Sequence, residues 1–204
     1  MPPVTALLLC AGQGQRMAGR CKGLLTLESS ALVCRHVRAL MAAGVSSIHV
    51  VTGHQHELIE EVLSGWPVTM VHNPSWSQGQ LSSVLHGLGR LPGGHEALIT
   101  LVDLPWLAEP HYQASLRAWN QRTDGVRAMA SMYRGQAGHP VVIDATVVAA
   151  CLGQGVSPRT WMTHHPSDSW AWEVDDPAHI RDVDTPAEWT ACVRHWPNYP
   201  CGDT

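Results

Sequence analysis

Val4-Thr5-Ala6-Leu7-Leu8-Leu9-Cys10-Ala11-Gly12-Gln13-Gly14-Gln15-Arg16-Met17 is the stretch on which the reading of the fold turns. Residues 4–10 form an almost wholly apolar run that empties into two closely spaced glycines. A strand with one wet face alternates apolar and polar residues, whereas a strand covered on both faces does not. The run therefore predicts a buried strand, and the glycines predict a loop at its carboxyl end.

Working outward, residues 30–43 carry Leu32, Val33, Val37, Leu40 and Met41 on one side and Arg35 and Arg38 on the other, between Ser30 and Gly44. That pattern predicts a capped helix. Strands follow over 48–52 and 68–71, with a helix over 54–63 between them. A helix over 79–91 leads to a strand over 97–102 that stops at Asp103-Leu104-Pro105. Repeated strand–helix–strand units predict an α/β fold, a mostly parallel central sheet between two helical layers. Beyond it we expect a helix over 110–122, strands over 128–132, 140–143 and 180–183, and a closing helix over 185–195. Residues 152–172, rich in Gly, Ser, Pro and His, read as loops around a short helix. With no repeat or linker, a single domain is expected over 1–204, its core at about 4–196 and its tail at 197–204.

Composition mostly excludes. Thirteen basic against seventeen acidic residues in 204 give a net charge of −4, which lacks the electrostatic footprint of a nucleic-acid binder. No apolar run approaches the ~20 residues that span a bilayer, so no membrane is expected. The six Cys form no C-x-x-C pair, and no charged segment precedes an apolar stretch at the start; a cytoplasmic protein with reduced thiols is expected. Thirteen His are scattered without helical ligand spacing, which disfavours a His metal site. The single Lys of the chain, Lys22, falls in the first glycine loop.

In an open parallel sheet, ligands bind beyond the carboxyl ends of the strands. The residues there are the candidates. Ala11, Gly12, Gln13 and Gly14 can turn backbone N–H groups into an anion nest, and Arg16, Arg20 and Lys22 add positive charge within seven residues. The loop is neither a Walker A loop, lacking Gly-Lys-Ser/Thr, nor a dinucleotide fingerprint, because Met17 stands at the third Gly. A solvated basic turn would read the same way. Asp103 leaves a buried strand where a phosphate-bound Mg²⁺ would need a carboxylate, or else caps the turn before Pro105. Asp182 and Asp184 project to one side of an expected strand end, although Asp184 is equally suited to cap the last helix. The segment Asn73-Pro74-Ser75-Trp76-Ser77-Gln78-Gly79-Gln80-Leu81-Ser82-Ser83 offers an amide, hydroxyls and a helix start. Gly138-His139-Pro140 places an imidazole before a strand, where a structural role is the commoner one.

Together these segments resemble the nucleotidyltransferases related to the molybdenum-cofactor enzymes, and within them the molybdenum-cofactor cytidylyltransferases. The resemblance rests on Leu9-Cys10-Ala11-Gly12-Gln13-Gly14-Gln15-Arg16-Met17 with Lys22, Asn73-Pro74 with Gly79 and Ser82-Ser83, Asp103-Leu104-Pro105, Gly138-His139-Pro140, and Asp182-Val183-Asp184-Thr185-Pro186. It implies a Rossmann-like domain in which Ala11 to Gly14, Arg16, Lys22, Ser82 and Ser83 hold the nucleotide. Arg16, Lys22 and Asp103 would be catalytic, Asp103 and Asp184 would bind Mg²⁺, and His139 and Asp182 would face the acceptor. The implied reaction joins CMP from CTP to the phosphate of molybdopterin, with hand-over of the product to a molybdenum hydroxylase or its chaperone. Cys10 and Ala18 depart from the family's usual small Ala and Gly, and 156–172 matches poorly apart from Arg159. Transfer of GMP or another nucleotide, to molybdopterin or to a sugar phosphate, remains open, as does a cofactor-binding protein without nucleotide chemistry.

Overall fold

The computed structural model describes residues 2–197. Nine strands and seven α-helices alternate along them: β1 (Val4–Cys10), a two-residue hairpin β2 (Thr26–Leu27) and β3 (Ser30–Ala31), α1 (Leu32–Ala42), β4 (Ser47–Thr52), α2 (His56–Val62), β5 (Thr69–His72), α3 (Gln80–Leu88) and β6 (Glu96–Leu101). The second half adds α4 (Glu109–Asn120), β7 (Ala128–Tyr133), β8 (Gln136–Ile143), α5 (Ala145–Gln154), α6 (Pro158–His164), β9 (Ser169–Glu173) and α7 (Pro186–His195). Seven strands form one sheet in the order β5-β4-β1-β6-β8-β7-β9. Only β8 runs against its neighbours. The fold is α/β with a mostly parallel sheet, as expected.

The apolar run of β1 is explained by two-sided burial. Ala6, Leu8 and Cys10 pack into one core with Leu32, Val37 and Leu40 of α1, Ile59 of α2, and Tyr112 and Trp119 of α4. Leu7 and Leu9 point the other way, into a second core with Val84 and Leu88 of α3, Val147 and Cys151 of α5, and Trp161 of α6. Successive side chains of a strand face opposite sides of the sheet, so a central strand must be apolar at every position.

After β1 the chain builds outward through β4 and β5, then crosses back to lay β6 on the other side of β1. Strand order therefore reverses between β1 and β6, which opens a crevice between the loops that follow them. The loop after β1 holds Ala11 to Gly14, and the loop after β6 holds Asp103.

Several expectations are corrected. Residues 180–183 form no strand: a 3-10 turn covers Pro177–His179, and the chain then runs irregularly, tied by a hydrogen bond from the Val183 amide to the Asp103 carbonyl (2.9 Å). Val183 is buried, so its apolar character reflects packing without a ladder. Ser30 does not cap α1; it pairs in the β2–β3 hairpin, and Ala31 takes the cap position. Residues 152–172 are more regular than expected, comprising the end of α5, all of α6 and most of β9. From residue 198 the expected tail lies outside the described residues.

Candidate active site

A cavity of about 590 Å³ lies over the β1–β6 crevice, lined by Ala11 to Arg16, Cys21 to Gly23, Trp76, Gln80, Ser83, Asp103, Asp182 and Asp184 among others. The glycine loop is shaped for its position. Gly14 has φ of +66°, and a Cβ there would run into the Arg20 carbonyl oxygen. Only glycine allows that backbone and that approach together. The Gly14 carbonyl accepts from the Met17 amide (2.8 Å) and the Gly19 amide (3.0 Å), which winds residues 15–17 into one 3-10 turn and buries Met17 as its peg. Gly12 has open space around it on the cavity side.

The acids and the cations meet at one end of the cavity. Asp103, Asp182 and Asp184 each place a carboxylate oxygen within 4.8 Å of the others. The Lys22 ammonium donates to Asp103 Oδ2 at 2.7 Å and also to Asp184 Oδ1. Arg16 reaches Asp184 Oδ2 at 2.8 Å from an exposed side chain. Burial opposes the charge on Lys22, but Asp103 and Asp184 outweigh it and hold its pKa above the ordinary lysine value. Burial, and then the charges of Asp184 and Asp103, raise the pKa of Asp182. Asp103 Oδ1 is buried and, among the described residues, meets no hydrogen-bond donor. A buried carboxylate oxygen without a donor is costly unless a cation or water takes it. This donor set suits a hard divalent ion, whose ligands are oxygens.

Asp184 is free for this because it does not cap α7. Thr185 does, its Oγ1 accepting from the Glu188 amide, while Glu188 Oε2 accepts from the amides of Asp184 (2.7 Å) and Thr185 (2.8 Å). This reciprocal capping box uses the backbone of Asp184 and leaves its carboxylate to Lys22 and Arg16.

The serine pair divides. Asn73, buried after β5, donates to both Ser82 Oγ and Ser83 Oγ at 3.0 Å and accepts from the Ser75 amide. Ser82 Oγ also lies 2.9 Å from the carbonyls of Ser75 and Gly79. Ser83 lines the cavity, while Ser82 stands behind it as part of a pin that holds the start of α3. Arg20 also stays out of the cavity lining and contributes only its backbone.

A second cavity of about 470 Å³ adjoins the first, and Leu9, Gln80, Leu101 and Asp182 belong to the walls of both. His139, Arg159, His179 and the apolar side chains of Leu81, Val84, Ile99 and Leu104 line it. Arg159 Nη2 donates to the carbonyls of Ala137 (3.2 Å) and Gly138 (3.0 Å). Burial and then the Arg159 charge push the His139 pKa down to about 4, so its ring is neutral. The His139 carbonyl lies 2.7 Å from His179 Nδ1. A Cβ on Gly138 would run into the His179 carbonyl oxygen, so glycine there permits the wall to close.

The structure thus brings Arg16, Lys22, Asp103 and Asp184 together, places His139 in the neighbouring cavity and puts Asp182 on the border. Trp76 and Gln80 are not among the residues selected from the sequence, although the segment holding them is; a helix start at Gln80, on the same cavity as the glycine loop, is the signal that marks them. His179 carried none, because it stands outside the Asp182-Val183-Asp184 motif, three residues ahead of it, in a turn with no pattern of its own.

Similarity to known proteins agrees with this geometry. The family described as MobA-like NTP transferase domain matches residues 6–167. The chain is 25% identical over 187 residues to a molybdenum cofactor cytidylyltransferase of Escherichia coli (strain K12), covering 91% of this chain and 93% of that one. It is 28% identical over 196 residues to a nicotine blue oxidoreductase of Paenarthrobacter nicotinovorans, covering 91% and 94%. In fold it resembles a nucleotidyl transferase from Methanothermobacter thermautotroptrophicus, with a TM-score of 0.78 and 23% identity over 95% of this chain and 97% of that one. A glycine loop and a lysine–carboxylate cluster at the switch point of a sheet, in a chain so matched, mark this protein as a nucleotidyltransferase of the MobA-like NTP transferase family.

Proposed function

We propose that this enzyme transfers CMP from CTP to the terminal phosphate of a molybdopterin-type cofactor and releases pyrophosphate. The observation that carries the reading is the pair of adjoining cavities, whose common border bears Asp182 of the acid cluster. The first cavity, with the glycine nest, Arg16 and Lys22, suits a triphosphate. The second, with a neutral His139, Arg159 and apolar walls, suits a flat heterocycle carrying a phosphate. The relative named as a molybdenum cofactor cytidylyltransferase supports both assignments.

A phosphate monoester is largely ionised near neutrality, so the acceptor needs no strong general base. The site must align two polyanions and neutralise charge that develops on the α-phosphoryl group and the leaving pyrophosphate. Lys22 and Arg16 supply fixed positive charge, and the Ala11 to Gly14 backbone supplies N–H donors. Asp103, Asp182 and Asp184 are the residues to hold Mg²⁺, which would act as a Lewis acid on phosphoryl oxygens. Asp182 thereby joins the metal site in addition to its assignment to the acceptor side. The Asn73–Ser82–Ser83 pin fixes the α3 start between the two substrates.

The test incubates the protein with Mg²⁺, molybdenum cofactor and each of the four nucleoside triphosphates, reading pyrophosphate release and the mass of the product. A cytidylylated cofactor is expected. Product with GTP alone would reassign the base, and product with a sugar phosphate alone would reassign the acceptor. Because one relative is named an oxidoreductase, turnover of a reduced nicotinamide dinucleotide is measured alongside, with none expected.

A further inference from the structure

The wall of the second cavity contains two imidazoles whose ring hydrogens are fixed by the main chain. His139 Nδ1 lies 3.3 Å from the Ile99 carbonyl oxygen, and His179 Nδ1 lies 2.7 Å from the His139 carbonyl oxygen. A carbonyl oxygen only accepts, so each Nδ1 carries a hydrogen and donates it. A neutral imidazole has one such hydrogen, which leaves Nε2 as a bare acceptor. Both rings are neutral: burial and then the Arg159 charge push His139 down to about 4, and burial lowers the His179 pKa as well. Among the described residues neither Nε2 has a hydrogen-bond partner, and neither is sealed from solvent as His36 Nε2 and His49 Nδ1 are. Both residues line this cavity, so its space is what the two free nitrogens meet.

The His179 ring is held in place. His111 Nδ1 accepts from the Ala108 amide (3.0 Å), so the ring hydrogen of His111 sits on Nε2 and is donated to Asp176 Oδ2 (3.1 Å). Asp176 Oδ1 accepts from the Ala178 amide (2.8 Å). This clasp ties the turn Pro177–His179 to the start of α4. The rings of His111 and Trp172 brace His179 edge to face, with centroids 5.3 and 5.9 Å away. Turning Nδ1 toward the cavity would break its bond to the His139 carbonyl.

We infer that His139 and His179 read the hydrogen-bonding edge of the acceptor's ring, selecting a planar heterocycle that turns two neighbouring N–H donors to this wall. The pyrimidine half of a pterin, with a ring N–H beside an exocyclic amino group, belongs to that class. A ring bearing an acceptor at either place sets lone pair against lone pair and leaves an Nε2 unpaired. Sites built to hydrogen-bond a substrate N–H reject analogues without it far more strongly than apolar pockets reject a change of size. Leu81, Val84, Ile99 and Leu104 give the ring its apolar surroundings. The inference rests on the assignment of the second cavity to the acceptor.

The experiment titrates pterin and lumazine separately into the full chain without nucleotide, following the fluorescence of the ring. Lumazine has nearly the same shape but carries an oxygen where pterin carries its amino group. Pterin is expected to bind about tenfold tighter or more. In His179→Asn the amide can keep the bond to the His139 carbonyl, but no atom reaches the place of Nε2; His139→Asn does the same toward Ile99. Each should bring pterin affinity down toward that of lumazine, with lumazine affinity little changed. His179→Gln, whose amide oxygen reaches the place of Nε2, should recover part of the preference. A merely structural role weakens both ligands together and leaves their ratio at the parental value, and that result overturns the proposal. Equal affinities in the parent protein, or no binding of pterin, overturn it too. If nucleotide is transferred to molybdopterin by a protein indifferent to the two rings, the transfer stands and this inference fails. If the preference is found without transfer, the ring site stands and the proposed reaction fails.

Discussion

Lys22 and Asp103 are separated by 81 positions in the chain, yet the ammonium of one donates to the carboxylate of the other at 2.7 Å. The same ammonium also holds Asp184 of the α7 approach. One cation therefore ties together the loops after β1 and β6 and the segment before α7.

Replacing Asp103 by Asn keeps the shape of the side chain and removes its charge. Oriented charged groups in such sites are typically worth ~3–4 kcal/mol, so pyrophosphate release should fall a hundredfold or more. The melting temperature should stay close to that of the parent protein. Near-parental turnover would remove Asp103 from the chemistry.

Lys22→Ala should raise the KM for CTP and lower kcat together, since the ammonium faces charge in both the bound and the reacting state. Lys22→Arg should not rescue it, because a planar guanidinium cannot stand in for a compact ammonium between two carboxylates. Steady-state kinetics with both variants decide the matter; full activity in Lys22→Arg would show that charge alone suffices.

Two glycine substitutions should separate the cavities. Gly14→Ala strains a left-handed residue and collides with the Arg20 carbonyl, so the KM for CTP should rise while acceptor binding holds. Gly138→Ala collides with the His179 carbonyl, so the acceptor KM should rise while CTP binding holds. Measuring each KM at saturation of the other substrate tests the assignment, and a swapped pattern would reverse it.

Acid should destabilise the fold through His36. This residue is 1% exposed, shares a hydrogen bond with the Tyr112 hydroxyl at 2.7 Å, and has its pKa pushed down to about 4 by burial. The unfolded chain binds the proton at the ordinary histidine pKa near 6.5 and the folded chain does not, so stability falls as pH drops from about 6.5 to 4 and the slope then levels for this group. The loss amounts to about 3 kcal/mol. Urea unfolding between pH 7 and 4 reads it, and His36→Gln should flatten the slope.

The loops after β1 and β6 were legible in the sequence because burial on both faces writes a continuous apolar run and because phosphate-binding backbone demands glycine. The acid at Asp103 was legible for the same reason: a strand end stands out. Other features required three dimensions. Asp182 reads as one of a pair of acids, and only the fold sets its carboxylate beside that of Asp103. Residues 180–183 have the residue types of a strand, but they form no ladder and run irregularly, with Val183 buried and tied to the Asp103 carbonyl. The Asn73 pin was invisible as a pin, since the same amide and hydroxyls serve equally well to hold a ligand. His179 reaches the second cavity only through packing of a turn that no local pattern announces.

Asp182 and Gln80 belong to the walls of both cavities. Under the proposed function the two substrates would therefore meet across a single partition. A partition that one ligand stiffens or displaces is altered for the other as well, and equilibrium linkage makes the effect mutual: whatever factor the nucleotide contributes to acceptor affinity, the acceptor returns to the nucleotide. If the proposed assignment holds and one ligand alters that partition, the order of addition would be a property of the partition, and a dissociation constant measured for one substrate alone would differ from the one that applies with both bound.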